Sequence, residues 1–259
     1  MNRRALLAAI AAASLLSARS PRARPAALVA AASSLRFVLP GIAADFAAET
    51  GHRVELVFGA SGSFYRQIRA GAPFALFLSA DSRYVERLHA EGVVPDPGVV
   101  YALGRLVLFA HTRSPLAVDA RLDGLARALD RGEIRRFAIA NPDRAPYGSR
   151  AVEVLEHRGL WPRIRPFLVY AENVSQAAQF AVSGSCEGAI FARALGRSPR
   201  IRERGRQALL PASWHRPLEQ RMVLLDPGNA AASAFFAHLT GASARRRLEG
   251  AGFDLPARS

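Results

Sequence analysis

Two serine-bearing turns carry the chemistry that this sequence offers. In "VFGASGSFYRQI", Val57–Ile68, a β-branched and aromatic run ends in "GASGS" (59–63) and passes into a helix-like pattern. "AAASSL" (30–35) has the same layout, with Ser33 and Ser34 between an apolar run and the next helix-like segment. The first backbone N–H groups of a helix have no intrahelical acceptor, and the helix dipole adds partial positive charge there. Such a turn suits an anion: glycine allows close approach to the backbone, and serine adds a hydroxyl donor that can also cap. Taken singly, each stretch reads as an ordinary strand-to-helix turn. "GASGS" is no nucleotide P-loop, because no Gly-Lys-Ser/Thr follows. It misses the G-x-S-x-G nucleophile elbow by one position, with Ser63 where glycine belongs. A serine hydrolase using Ser61 stays open as an alternative, and requires a histidine within hydrogen-bonding reach.

The elements around these turns alternate. "AALVAAAS" (26–33), "RVELVF" (53–58) and "ALFLSA" (75–80) read as strands. Helix-like segments fall at 35–51, 63–71 and 81–92, with Gly51 as a stop and Asp81 as an N-cap. Strand–helix–strand repetition with short links predicts a mainly parallel sheet flanked by helices. Both serine turns then lie at the carboxyl edge of that sheet, where ligands bind in open α/β folds. After the long apolar run "YALGRLVLFA" (101–110) a second α/β set follows. Its corresponding edge offers "NPDRAPYG" (141–148) and "YAENVSQ" (170–176), each leading into a helix. Up to four donor-rich turns therefore face one cleft. "GRSPRIRERGRQ" (196–207) reads as a solvated loop. Two lobes joined near 101–110 and 220–226 are one architecture that fits; a single doubly wound domain is the other.

Composition narrows the function classes. All 35 basic residues are arginine and the formal net charge is +14. Five of those arginines (Arg3, Arg4, Arg19, Arg22 and Arg24) lie in an N-terminal stretch, "MNRRALLAAIAAASLLSARS" and the residues after it, with the layout of a secretory signal peptide. Its apolar run is shorter than the roughly 20 residues that a membrane span needs. The mature chain is expected to be exported and free of any bilayer anchor, with a net charge near +9. No arginine block interleaved with aromatics and no zinc-finger or RNA-binding signature argues for nucleic acid. Cys186 is the sole cysteine, which excludes an intrachain disulfide. His52, His89, His111, His157, His215 and His238 are scattered without ligand spacing, so no metal centre is expected.

The order "AAASSL", "GASGSFYRQIRAGAP", "LFLSAD", "ANPDRAPYG", "AENVSQA", "EGAIF" and "FFAHLTG…GAGF" resembles the molybdate-binding periplasmic proteins of ABC importers, over nearly all of residues 26–256. "RQIRAGAP" and "NPD..PYG" are its most specific parts. The resemblance implies a type II periplasmic-binding fold, with an α/β lobe on either side of a ligand cleft. It places a signal peptide at 1–25, lobe I at 26–103, lobe II at 104–221 and a return to lobe I at 222–259. It implies an exported monomer that hands a tetrahedral oxyanion, molybdate or tungstate, to a membrane permease. No cofactor is implied, and no metal is bound except inside the oxyanion. Carried over by motif, the donors are the Ser34 and Ser61 hydroxyls and the backbone N–H groups of Tyr147 and Val174. The family's tyrosine hydroxyl falls at Phe191, which has none. A lost hydrogen bond to a charged group costs about 1.5–3 kcal/mol, so a degenerate member that binds another anion, such as sulfate, is the alternative within the family. Alanine at Ser34 or Ser61 is expected to weaken binding with little effect on the stability of the unliganded protein. A donor-only site favours an unprotonated anion, because the proton on phosphate would lack an acceptor.

Overall fold

The structure is a computed structural model that describes residues 26–257. The expected signal peptide lies outside the described residues.

Among the described residues, ten strands form two five-stranded sheets. The first contains β1 (Ala27–Ala32), β2 (Val54–Gly59), β3 (Leu76–Ser79), β4 (Val99–Gly104) and β10 (Leu218–Leu224), in the order β2-β1-β3-β10-β4. The second contains β5 (Leu106–His111), β6 (Phe137–Ala140), β7 (Leu168–Ala171), β8 (Gly188–Ala192) and β9 (Gly205–Leu209), in the order β7-β6-β8-β5-β9. The helices are α1 (Leu39–Thr50), α2 (Ser61–Arg69), α3 (Ser82–Ala90), α4 (Asp123–Asp130), α5 (Pro146–His157), α6 (Trp161–Ile164), α7 (Val174–Val182), α8 (Arg193–Gly196), α9 (Pro199–Arg202), α10 (Ala230–Thr240) and α11 (Ala242–Gly250). None is long and apolar enough to cross a membrane.

The sheets are mixed rather than mainly parallel. β1 pairs in parallel with β2 and β3, and β6 with β7 and β8. β10 runs antiparallel to β3 and β4, and β5 antiparallel to β8 and β9. The cause is the two-lobe connectivity. A strand that has just crossed from the other lobe enters its sheet from the cleft edge, opposite to strands fed by βαβ links. The first crossing is the Gly104–Leu106 step, which divides the apolar run 101–110 between the sheets. The second occupies residues 210–217, so β10 lies wholly in the first sheet, including residues 218–221 that the sequence had suggested for lobe II. The C-terminal segment clasps the first crossing: Leu103 and Asp254 exchange backbone hydrogen bonds of 2.7 and 2.9 Å, and Arg105 pairs with the Asp254 carboxylate at 2.8 Å.

Local signals account for several helix ends. Gly51 takes a left-handed φ of 72° and closes α1. Asp81 caps α3 by accepting from the Arg83 N–H, and Asn173 caps α7 by accepting from Ser175 and Gln176. The charged stretch 196–207 is not a loop: it forms α9 and enters β9, the edge strand beside β5. Alternating arginines misled the sequence reading there, because an edge strand keeps charge on its exposed face. Ser33–Leu35 form a 3₁₀ turn, and α1 starts only at Leu39.

The apolar clusters of the two lobes each take in residues of the other. Ala32, Ala60 and Ala80, at the carboxyl ends of β1, β2 and β3, belong to the packed cluster of the second lobe. Ala194 of the second lobe packs into the cluster of the first. The lobes are closed on one another, and only methyl side chains at these places let the strand ends approach so near.

Candidate functional site

Each serine turn sits where a parallel strand delivers the chain to the cleft. β1 ends at Ala32, and Ser33 and Ser34 follow in the 3₁₀ turn, both buried. β2 ends at Gly59, Ala60 is extended, and Ser61 is the first residue of α2. From the second lobe, Pro146 and Tyr147 open α5, and Val174 opens α7. These four turns line one small hollow, with Ala80 from the end of β3 and Ala145 completing its wall. The hollow is small, with a volume of about 10 Å³, room for about one water molecule.

The hollow is lined by donors. Tyr147 and Val174 occupy the second and first positions of their helices, where backbone N–H groups have no intrahelical acceptor. Pro146 contributes no N–H, which leaves Tyr147 as the first donor of α5. The Ser61 hydroxyl oxygen accepts the Ala80 N–H at 2.9 Å. That bond occupies a lone pair of the oxygen and turns the hydroxyl proton elsewhere. Ser34 Oγ is fully buried without a hydrogen-bond partner. None of the lining residues is a histidine, aspartate or glutamate. Ser61 therefore has a backbone amide, not a general base, at its oxygen.

Of the five residues that the sequence nominates, Ser34, Ser61, Tyr147 and Val174 meet at this hollow, and Phe191 does not. Phe191 is fully buried in β8, opposite Val107 of β5 and 5.5 Å from the Phe109 ring. Trp214 also lies elsewhere, stacked on His157 with centroids 5.0 Å apart.

Other groups join the lobes around the hollow, and the sequence did not single them out for that role. Ser33 Oγ accepts the Ser175 N–H at 3.3 Å. Gly62 donates its N–H to the Arg144 carbonyl at 2.8 Å. The glycine expected to admit a ligand thus admits the opposite lobe: a Cβ on Gly62 would lie 2.7 Å from Arg144 O and 2.6 Å from the Tyr84 hydroxyl. Arg150 of α5, nearly fully buried, reaches Asp81 at 3.0 Å, and also bonds Glu153 and the Arg216 carbonyl. Burial lowers the Arg150 pKa and the Asp81 and Glu153 carboxylates oppose that fall, so the guanidinium keeps its charge. Gln220 of β10 donates to the Tyr147 hydroxyl at 3.2 Å.

A family model described as bacterial extracellular solute-binding protein matches residues 27–254. The chain belongs to that family. This solute-binding chain is 37% identical over 214 residues to the molybdate-binding protein ModA of Rhodobacter capsulatus, a match covering 80% of each chain. It is 34% identical over 230 residues to ModA of Azotobacter vinelandii, covering 88% of this chain and 89% of that one. The solved periplasmic molybdate-binding protein of Azotobacter vinelandii superposes with a TM-score of 0.80 at 30% identity, over 89% of this chain and all of that one. Two α/β lobes around a cleft are the architecture that this solute-binding family shares.

One result follows from the Gly62 contact. Gly62→Ala is expected to hold the lobes apart, since overpacking a tight contact costs about 1–3 kcal/mol. Ligand affinity should fall by more than the stability of the unliganded protein, in which the Tyr84 side chain alone must shift. Calorimetric titration beside a thermal melt checks both, and unchanged affinity would show that this approach does not limit closure.

Proposed function

We propose that this chain is the extracytoplasmic solute-binding component of an ABC importer, and that it captures a tetrahedral oxyanion, molybdate or tungstate, between its lobes. The observation that carries the reading is the meeting of four donor-bearing turns, two from each lobe, at one buried hollow without a carboxylate in its wall. The family and the two ModA relatives point the same way.

Specificity follows from proton accounting. The Ser61 oxygen already accepts the Ala80 N–H, which leaves its proton free to point at the anion, and the Tyr147 and Val174 amides can only donate. An anion that carries a proton would bury that proton without an acceptor, at a cost of about 1–3 kcal/mol. Molybdate, tungstate and sulfate are unprotonated at neutral pH, and phosphate is not. Molybdenum enters as part of the anion, so Ser34, Ser61, Tyr147 and Val174 touch its oxygens and never the metal. Cavity size divides the larger anions from sulfate. The lobes must part to admit the anion and close by hinge bending at the two crossings. The closed form would then dock on a membrane permease from the periplasm, where an exported chain of this kind works as a monomer.

Titration calorimetry with molybdate, tungstate, sulfate and phosphate tests the proposal. Tight binding of the first two, weaker binding of sulfate and no heat with phosphate are expected. Sulfate binding without molybdate binding would overturn the choice of anion. No heat with any of the four would overturn the oxyanion reading altogether.

A further inference from the structure

A groove of about 710 Å³ opens at the boundary between the lobes, within the usual size of small-molecule sites. It shares no lining residue with the serine hollow. Arg36 and Phe37, which follow the 3₁₀ turn of Ser34, form one wall with Arg247 of α11. Arg197, at the end of α8, and Arg200 of α9 form the other. The first wall belongs to the first lobe and the second wall to the second. No aspartate or glutamate is among the described residues that line the groove.

These arginines are held in place without being neutralised. Arg193, one helical turn before Arg197, reaches the Asp254 carboxylate at 3.7 Å, which Arg105 also holds at 2.8 Å. The stem of Arg197 lies over Gly252, where a Cβ would stand 2.6 Å from Arg197 Cδ. Arg36 sits over the Phe58 ring, 5.5 Å from its centroid. Arg247 has Asp45 as its partner. Among the described residues, Arg36, Arg197 and Arg200 make no ion pair and no side-chain hydrogen bond. Phe37 stands beside them 40% exposed, the one exposed large apolar side chain among the described residues that reaches this groove. A guanidinium presents paired N–H groups that match two phosphate oxygens, and an apolar body would cover the Phe37 ring. A lipid surface fits less well, because a face that lies on lipid carries several apolar side chains.

We infer that this groove is a second anion site, which takes a small organic phosphate with an apolar body and favours the closed arrangement of the lobes. Closing brings Arg36 of the first lobe toward Arg197 and Arg200 of the second, and like charges repel. A dianion between them turns that repulsion into attraction, and it must touch both lobes to do so. Arg36 also lies two residues beyond Ser34, so a guest that fixes Arg36 steadies the turn facing the oxyanion. Such coupling is reciprocal: guest and oxyanion each raise the affinity of the other by the same factor. The site stands on the groove alone, while its coupling to the serine hollow rests on the oxyanion reading above.

Phenyl phosphate is the probe. Titrated calorimetrically into molybdate-saturated protein, it is expected to bind once per chain, which places it outside the serine hollow. Arg36→Gln and Arg197→Gln should each weaken that binding about tenfold, the loss of one charge-assisted contact to a phosphate. Phe37→Ala should narrow the advantage of phenyl phosphate over inorganic phosphate. Saturating phenyl phosphate should tighten molybdate binding about fivefold in the parent and less in Arg197→Gln. Melting temperatures check folding, and should one arginine variant fold poorly, the other decides. Phenyl phosphate binding that disappears once molybdate is bound, or that is equal in the parent and both arginine variants, overturns the inference. Molybdate affinity that phenyl phosphate leaves unchanged overturns it too. Capture by phosphatidic acid vesicles without binding of phenyl phosphate would make the guest a membrane, and overturns it equally. If the parent binds no molybdate, the oxyanion reading fails by itself, and phenyl phosphate binding to the parent against Arg197→Gln then decides the groove.

Discussion

Arg150→Met is expected to lower oxyanion affinity about a hundredfold while changing the fold of neither lobe. The Arg150 guanidinium and the Asp81 carboxylate are both almost fully buried and 3.0 Å apart, one from each lobe. Removing one member of a buried ion pair costs about 3–5 kcal/mol, because the charge left behind is desolvated without compensation. Here the lower end applies, since Arg83 still holds the other side of the Asp81 carboxylate at 2.7 Å. About 3 kcal/mol corresponds to roughly a hundredfold in affinity. The Asp81 part of the cost falls on the closed state, because water reaches Asp81 when the lobes part; the bonds to Glu153 and the Arg216 carbonyl are lost in either state. The unliganded melting temperature should fall, through the lost bonds to Glu153 and the Arg216 carbonyl, and the stabilisation on adding molybdate should shrink markedly. Titration calorimetry with melts in the presence and absence of ligand reads both quantities. A variant that binds like the parent would mean that the pair does not hold the lobes together.

The second large effect separates the two serines. Ser34→Ala and Ser61→Ala each delete a donor to a charged ligand, and each is expected to lose about 1.5–3 kcal/mol of binding, roughly tenfold to a hundredfold or more. Their effects on the unliganded protein differ. Ser34 Oγ has no partner in the fold, so its loss leaves no group unsatisfied and the melting temperature should hold. Ser61 Oγ accepts the Ala80 N–H, and alanine there strands a buried amide at about 1–3 kcal/mol. The sequence alone suggested that both variants would be thermally silent; the Ala80 contact revises that for Ser61. Equal affinities for both variants and the parent would mean that the anion binds elsewhere.

These two results show where the sequence was informative. Strand ends, helix starts and caps are written in neighbouring residues, so the turns that hold Ser34, Ser61, Tyr147 and Val174 were legible locally, while the choice of Tyr147 and Val174 within theirs came from the family resemblance. Asp81 was read as a cap and is one. Its other partner, Arg150, lay in the helix that follows "NPDRAPYG", and nothing near it in the sequence tied it to Asp81. Gly62 was read as room for a ligand and proved to be room for the Arg144 carbonyl. The arginine-rich stretch at 196–207 was read as a loop because its charge hid the short alternation of β9.

By itself the sequence determined the α/β alternation, the donor-bearing turns and the absence of ligand spacing among the histidines, all of which depend on residues a few positions apart. Only the tertiary structure decided which turns share a hollow, that Phe191 packs on Phe109 away from it, and that the Ala80 N–H sits on the Ser61 oxygen. The contacts that do this, Arg150 to Asp81, Gln220 to Tyr147 and Ser175 to Ser33, join residues 69, 73 and 142 positions apart. Local propensity cannot encode such pairs, because they come into being only when the two lobes bring their strand ends together and exclude the water between them.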